Sequence, residues 1–277
     1  MLNESRRKEE PIQANHAAGL VLILCFAALV GACHGGENAG SRGATGGGSV
    51  AEHAYHPPPE VLAMVPAESS ILIDGNAAAG ARVRVAAPGG AAITTRAGRD
   101  GSWRMVIPRS TNVRLFGLSM VEAGRTIQSE GYLAIPPGGP AAQLRAGSGA
   151  LVFTKDRAAL RLLAVDYDRK GGAVVSGVAR PGAVVTLRVD GAVRGQTTAD
   201  FQGRFSMAFD EPPFAGGHTL AVSAGGAHTL IDVPAEPMTL GQTPFDASSS
   251  DGGWRIVWMT PGGGLQTTLV LDLDGKA

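Results

Sequence analysis

Apolar and polar residues alternate with a period of two along several short segments of this chain, and glycine-rich turns separate these segments. Val83-Arg84-Val85, Trp103–Ile107, Val185–Val189 and Phe205–Phe209 each place apolar side chains on one face. A period of two is that of a half-buried β-strand. Asp190-Gly191, directly after the third segment, is a signal for a two-residue hairpin turn. The pattern therefore predicts an all-β chain.

Two parts of the chain repeat each other at a shift of 102 residues. Gly75–Val83 aligns without a gap on Gly177–Val185, and further along Gly101 aligns with Gly203. The matches fall on turn glycines and on alternating apolar positions, which chance explains poorly. The second copy contains about seven short strands, a number typical of a β-sandwich. The repeat therefore predicts two domains of similar fold.

The second copy also carries a motif of turn residues. It reads Gly177-x-Ala179-x-Pro181-Gly182-Ala183-x-Val185, then Thr198-Ala199-Asp200-x-x-Gly203-x-Phe205, then Gly217-His218-x-Leu220. This motif resembles the bacterial immunoglobulin-like domains of surface and wall-associated proteins. The first copy matches less well, since Ala79 replaces the proline and Gly98 replaces the aspartate. The resemblance implies two tandem immunoglobulin-like β-sandwiches with a role in binding or spacing, and it brings no catalytic residue.

The N-terminus has the features of an export signal. Arg6, Arg7 and Lys8 precede an apolar run of 16 residues, Ala17–Ala32, which is short for a membrane span of about 20 residues. The run ends in Leu29-Val30-Gly31-Ala32-Cys33, which resembles the bacterial lipobox. The resemblance implies cleavage before Cys33 and lipidation of its thiol. His34 rather than aspartate follows, which favours the outer membrane of a Gram-negative cell.

Two alternatives for this segment stay open, an uncleaved anchor and an ordinary secretory signal, because Glu4, Glu9 and Glu10 offset the positive charge of the leader. Cys25 lies inside the signal, so Cys33 is the only cysteine of the predicted mature chain and has no internal disulfide partner. Acyl chains on Cys33 would give a stable membrane anchor.

These signals divide the chain into six parts. They are a lipoprotein signal peptide (1–32), an acylated cysteine and flexible Gly/Pro-rich tether (33–60), a first immunoglobulin-like domain (61–137), a linker or edge strand (138–159), a second immunoglobulin-like domain (160–235), and a linker with a terminal β-hairpin (236–277). We expect the hairpin to extend or cap a sheet of the second domain.

Composition and motifs point away from nucleic acid and from catalysis. Lys and Arg balance Asp and Glu at 24 each, so no basic excess attracts nucleic acid. The chain has no nucleophile elbow, phosphate loop, zinc-protease motif or Cys-x-x-Cys pair. We therefore predict a protein that is not an enzyme and has no cofactor and no metal. His218 and His228 could face each other on neighbouring strands, but partly exposed sheet histidines are commoner. The Asp residues 166, 168, 200 and 272 are interpreted as turn formers rather than calcium ligands.

Trp254 and Trp258 are the candidate ligand-binding residues, because they share one face of a predicted strand with Ile256. An exposed face would bind a sugar or a protein, whereas a buried face would be the core of the terminal hairpin. We expect a lipid-anchored envelope protein that acts as a non-enzymatic binding or spacer module for another envelope protein. The alternatives are glycan or peptidoglycan binding through the aromatic face and, more remotely, an envelope hydrolase.

Overall fold

The computed structural model describes residues 56–272, except 156, 211–216, 235 and 251. The predicted signal peptide, Cys33 and most of the tether lie outside the described residues. The strands are β1 Glu60–Pro66, β2 Ser70–Asn76, β3 Arg82–Ala86, β4 Ala92–Arg96, β5 Ser102–Pro108, β6 Arg114–Glu122, β7 Arg125–Gln128, β8 Tyr132–Ile135, β9 Ala142–Leu144, β10 Leu151–Val152, β11 Leu160–Asp168, β12 Gly172–Ala179, β13 Val184–Val189, β14 Ala192–Thr198, β15 Arg204–Asp210, β16 His218–Ala224, β17 Ala227–Val233, β18 Phe245–Ser250, β19 Gly253–Met259 and β20 Leu265–Leu271.

The described residues contain no helix, and hence none long and apolar enough to cross a membrane. The prediction of an all-β chain is confirmed. Strands β3, β5, β13 and β15 cover the four alternating segments, and one apolar face of each is buried, whereas Val106, on the other face of β5, is 55% exposed. The turn at Asp190-Gly191 has φ values of 50° and 82°, the left-handed region that a tight hairpin turn requires.

The first seven strands form a β-sandwich. One sheet has the order β1-β2-β5, and the facing sheet pairs β4 with β3, β3 with β6 and β6 with β7. Its core contains Ile73, Val83, Val85, Ile107 and Leu118, all at most 2% exposed. The alternation of each strand thus places one set of side chains between the sheets, where burial of apolar surface stabilises the fold.

Strands β11 to β17 repeat this topology. One sheet contains β11-β12-β15, and the facing sheet has the order β14-β13-β16-β17. Val175, Val185, Leu187, Leu220 and Val222 are fully buried between them. The prediction of two tandem immunoglobulin-like sandwiches is confirmed, with seven strands in each copy.

Two aligned glycines, Gly75 and Gly177, make the same close contact in the two copies of the repeat. A Cβ on Gly75 would lie 2.2 Å from the carbonyl oxygen of Glu60 and 2.3 Å from the ring of Trp103. A Cβ on Gly177 would lie 2.2 Å from the carbonyl oxygen of Arg161 and 2.5 Å from the ring of Phe205. In both copies, therefore, an aromatic ring of the fifth strand packs directly on a glycine of the second.

Each sandwich carries three additional strands. In the first half, β8 pairs with the start of β6, and β9 and β10 follow it outward. In the second half, β20 pairs with β11, and β19 and β18 follow. The terminal hairpin therefore extends a sheet of the second sandwich. The segment 138–159 contributes β9 and β10 to the sheet of the first sandwich.

The additional strands meet in a third hydrophobic core, which we call the shared core. From the first half, Val113, Leu144 and Val152 enter this core; from the second half, Val178 and Trp258 enter it. All five side chains are buried. Because these side chains come from both halves of the chain, the two sandwiches bury apolar surface against each other.

Candidate functional site

A cleft of about 1040 Å³ lies on the outer face of the second sandwich. Strands β12 and β15 provide its floor, and residues 150–152, 154, 155, 157 and 158 line one wall. The turns at Arg180-Pro181 and Asp200–Gln202 form a rim at the end of β12 and the start of β15. The repeat itself builds this rim, because both turns belong to the immunoglobulin-like motif. The volume is at the upper end of the range for ligand sites, about 300–1,000 Å³.

Five cationic side chains line the cleft, namely Arg145, Lys155, Arg157, Arg180 and Arg204. Arg145 is fixed in the wall, since its guanidinium donates to the carbonyls of Gly149 at 3.0 Å and Ser148 at 3.4 Å. Within the described part of the chain, the other four make no ion pair. Cations concentrated in a concavity attract anions more strongly than the same charges spread over a surface.

The carboxylate of Asp200 also lines the cleft, but it is already engaged in hydrogen bonds within its own turn. Its Oδ1 accepts the backbone N–H of Gln202 and that of Arg204, each at 2.8 Å. Next to it, the ring of Phe201 is 87% exposed on the rim. A large apolar ring so fully in water contributes nothing to the core and is available to a ligand. Asp156, between two of the cations in sequence, lies outside the described residues.

Two serines on the floor differ in their hydrogen bonding. Ser206 Oγ donates to the carbonyl of Ser148 at 3.2 Å, which joins β15 to the wall of the cleft. Ser176 is 6% exposed, and its Oγ is buried without a hydrogen-bond partner. A buried hydroxyl without a partner costs free energy. Ser176 is therefore a polar group on the cleft floor whose hydrogen bonding the protein leaves unsatisfied.

The candidate residues Trp254 and Trp258 lie elsewhere, on β19. Trp258 is 0% exposed, donates from Nε1 to Thr268 Oγ1 at 3.1 Å, and meets the ring of Tyr132 edge-on at 5.8 Å. Trp254 is half-buried against the shared core. Trp258 thus offers no surface for a sugar to stack on, and the face it shares with Trp254 is packing surface between the two sandwiches.

The strand register separates the two candidate histidines. His218 is paired with Val233 and His228 with Ser223, at opposite ends of the β16–β17 hairpin. The two pairs are five positions apart along the strand, a distance of about 17 Å. His218 Nδ1 instead contacts Asp190 Oδ2 at 2.7 Å. Among the described residues, no group of three or more His, Cys, Asp or Glu side chains is placed to hold a metal.

The aspartates take two different roles. Asp168 Oδ1 accepts the backbone N–H groups of Lys170 and Gly172, as a turn former does. Asp166 is 2% exposed and accepts hydrogen bonds from Ala150, Gln266 and Thr268. Sequence reasoning missed this buried carboxylate. Alternation along β11 places Asp166 on the face away from the sandwich core, and only the packing of the first half covers that face.

The cleft was also missed from sequence. Its cations come from four separate segments, and each arginine or lysine by itself is typical of a solvated surface. The only local signal was the Asp200-Phe201-Gln202-Gly203 turn, in which an aromatic residue stands where a small polar residue would suffice.

No protein-family model matches the chain, and no curated protein matches it in sequence. Its fold is similar to three solved structures. The central fibronectin-III array of a RIM-binding protein is 15% identical with a TM-score of 0.24, over 77% of this chain and 89% of that one. The BSP domain of a biofilm-associated protein is 17% identical with a TM-score of 0.24, over 67% of this chain and 30% of that one.

The third structure, of a bacterial ice-binding adhesin, is 17% identical with a TM-score of 0.20, over 63% of this chain and 60% of that one. Because these TM-scores and identities are low, the assignment of the fold rests on the strand pairing of this chain itself.

Proposed function

We propose that this chain is an exported, lipid-anchored binding module without catalytic activity, and that the cationic cleft holds another component of the cell envelope. The cleft carries the proposal, because it gathers, beside an exposed aromatic ring, four cations that make no ion pair with the described residues. The lipobox-like sequence ending in Cys33 supports the anchor. An envelope protein is the partner class that the sequence favours, and an envelope glycan is the alternative.

The lining of the cleft supports binding rather than reaction. Its described residues include no histidine and no cysteine, and the one carboxylate among them, on Asp200, already accepts two backbone N–H groups. General acid–base chemistry needs a group that can exchange a proton with the substrate, and nucleophilic chemistry needs an activated nucleophile. Arginine offers neither, but it binds anions with several hydrogen bonds at once.

The anchor is tested by metabolic labelling of the full chain with a palmitate analogue. We expect label on the wild type, loss of label in Cys33→Ala, and retention in Cys25→Ala, since Cys25 lies within the predicted signal. Label that remains on the Cys33→Ala chain would contradict the lipid anchor.

Binding through the cleft is tested by sedimentation of the full chain, solubilised in detergent, with detergent-washed cell envelopes. We expect the wild type to pellet and Arg180→Glu/Arg204→Glu to stay in the supernatant with unchanged circular dichroism. The control Arg82→Glu/Arg84→Glu has the same charge change on exposed residues of β3 and should pellet. Equal pelleting of both double variants, or no pelleting of the wild type, would refute the role of the cleft.

A further inference from the structure

We infer that the cleft takes an acidic glycan, that is, a chain of sugar rings that carry carboxylates. The inference rests on the proposed function and names the ligand class for the same site. It draws on two features that occur together: cations that make no ion pair with any residue the structure describes, and an exposed aromatic ring.

The cations favour carboxylate groups. Arg157, Arg180 and Arg204 come from three separate segments, and all three line the cleft. The backbone N–H of Arg180 donates to the carbonyl of Ala159 at 3.2 Å, which holds it beside the segment that carries Arg157. A guanidinium binds a carboxylate through two parallel N–H···O bonds, which a neutral sugar cannot match. Because the net charge of the whole chain is zero, this local excess of positive charge is a property of the cleft.

The polar and aromatic groups favour a sugar over a peptide. The ring of Phe201 is 87% exposed beside the exposed amide of Gln202. An aromatic face stacks on the apolar face of a sugar ring, and amide and hydroxyl groups satisfy the sugar hydroxyls. A flexible acidic peptide uses the cations but has no comparable need of the ring.

The volume of the cleft sets the length of the ligand. A space of about 1040 Å³ exceeds what one sugar ring fills and accommodates a segment of several rings. The cleft is open, so a long polymer can lie across it with its ends in solvent. The site therefore suits an internal segment of an acidic polysaccharide.

The test is calorimetric titration of the full chain in detergent with three hexamers, namely oligogalacturonate, a neutral hexasaccharide and hexaglutamate. We expect oligogalacturonate to bind, the neutral sugar not to bind, and added salt to weaken binding. Arg180→Ala should lower the affinity about tenfold, the effect of one charge-assisted hydrogen-bonded contact. Arg84→Ala, an exposed arginine outside the cleft, should leave the affinity unchanged.

The variant Phe201→Ala distinguishes binding of a sugar from binding of a peptide. We expect it to lower the affinity for oligogalacturonate about threefold to tenfold through loss of ring stacking, and to leave the affinity for hexaglutamate unchanged. Hexaglutamate binding as tightly as the sugar, with Phe201→Ala affecting neither, would overturn the inference in favour of an acidic protein segment. Failure of oligogalacturonate to bind would overturn it as well. Envelope sedimentation that still depends on Arg180 and Arg204 would then leave the proposed function intact.

Discussion

The side-chain amide of Gln266 on β20 donates a hydrogen bond of 2.9 Å to the buried carboxylate of Asp166 on β11. The other oxygen of this carboxylate accepts the backbone N–H of Ala150 at 2.7 Å, just before β10. Asp166 therefore joins the additional strand of its own sheet to the segment that comes from the first sandwich. The contact is polar within a largely apolar junction, so its energy depends on the charge of the carboxyl.

This burial predicts a pH dependence of stability. Burial raises the pKa of the Asp166 carboxyl to about 6, against hydrogen bonds from Thr268, Ala150 and Gln266 that lower it. Because the pKa is higher in the folded state, the stabilisation is fully present below the unfolded value near pH 4 and is lost as pH rises through about 6. We expect the contribution of this carboxyl to the free energy of unfolding to increase by about 2 kcal/mol between pH 7 and pH 4.

The measurement is denaturant unfolding at several pH values for the wild type and Asp166→Asn. Since asparagine does not titrate, the difference between the two curves isolates this carboxyl from all other groups. Parallel curves across this range would show that the carboxyl titrates as it does in the unfolded chain.

The repeat glycine predicts a steric effect. Gly177→Ala places a Cβ 2.2 Å from the carbonyl oxygen of Arg161, and we expect a loss of about 2–4 kcal/mol in the free energy of unfolding. Gly138→Ala is the control, since a Cβ there meets nothing within 4 Å. Thermal unfolding of both variants checks this, and equal melting temperatures would show that the strand pair can separate at little cost.

The buried tryptophan predicts a packing effect. Trp258→Ala removes a fully buried ring and leaves the hydroxyl of Thr268 without its donor, so we expect about 3–5 kcal/mol of destabilisation. Phe201→Ala removes a ring that is 87% exposed, and it should change stability by less than about 0.5 kcal/mol. Chemical denaturation of the two variants measures their free energies of unfolding. A comparable loss of stability in both would mean that the ring of Phe201 packs on the protein.

The shared core predicts that the two sandwiches unfold together. Leu144→Ala removes a fully buried side chain contributed by the first half, at a cost of about 2–5 kcal/mol. We expect native-state hydrogen exchange to lose protection in β12 as well as in β2, because the opening is common to both. Leu62→Ala, at a position 54% exposed, is the matched control. Loss confined to the first half would show that the sandwiches unfold independently.

The local pattern of the chain was sufficient for the strands and their repetition. The alternation in Val185–Val189 and the turn at Asp190-Gly191 depend on neighbours in sequence, and the structure has a strand and a tight turn there. The same reasoning could not choose between exposure and burial of Trp258. Alternation places Trp258 and Asp166 on defined faces of their strands, but it leaves open whether those faces are covered. Tyr132 and Ala150, which come from the first half of the chain, contact Trp258 and Asp166 there.

By itself, the sequence determined an all-β chain and two copies of one sandwich, and it predicts a lipobox-like signal ending in Cys33. Each of these is a short-range property, fixed by periodicity, by turn residues or by a contiguous motif. The tertiary structure alone decided that the two sandwiches share a core and that Arg157, Arg180 and Arg204 line one cleft. The physical reason is that burial and the local concentration of charge are set by which surfaces meet in space, and strand periodicity leaves that choice open.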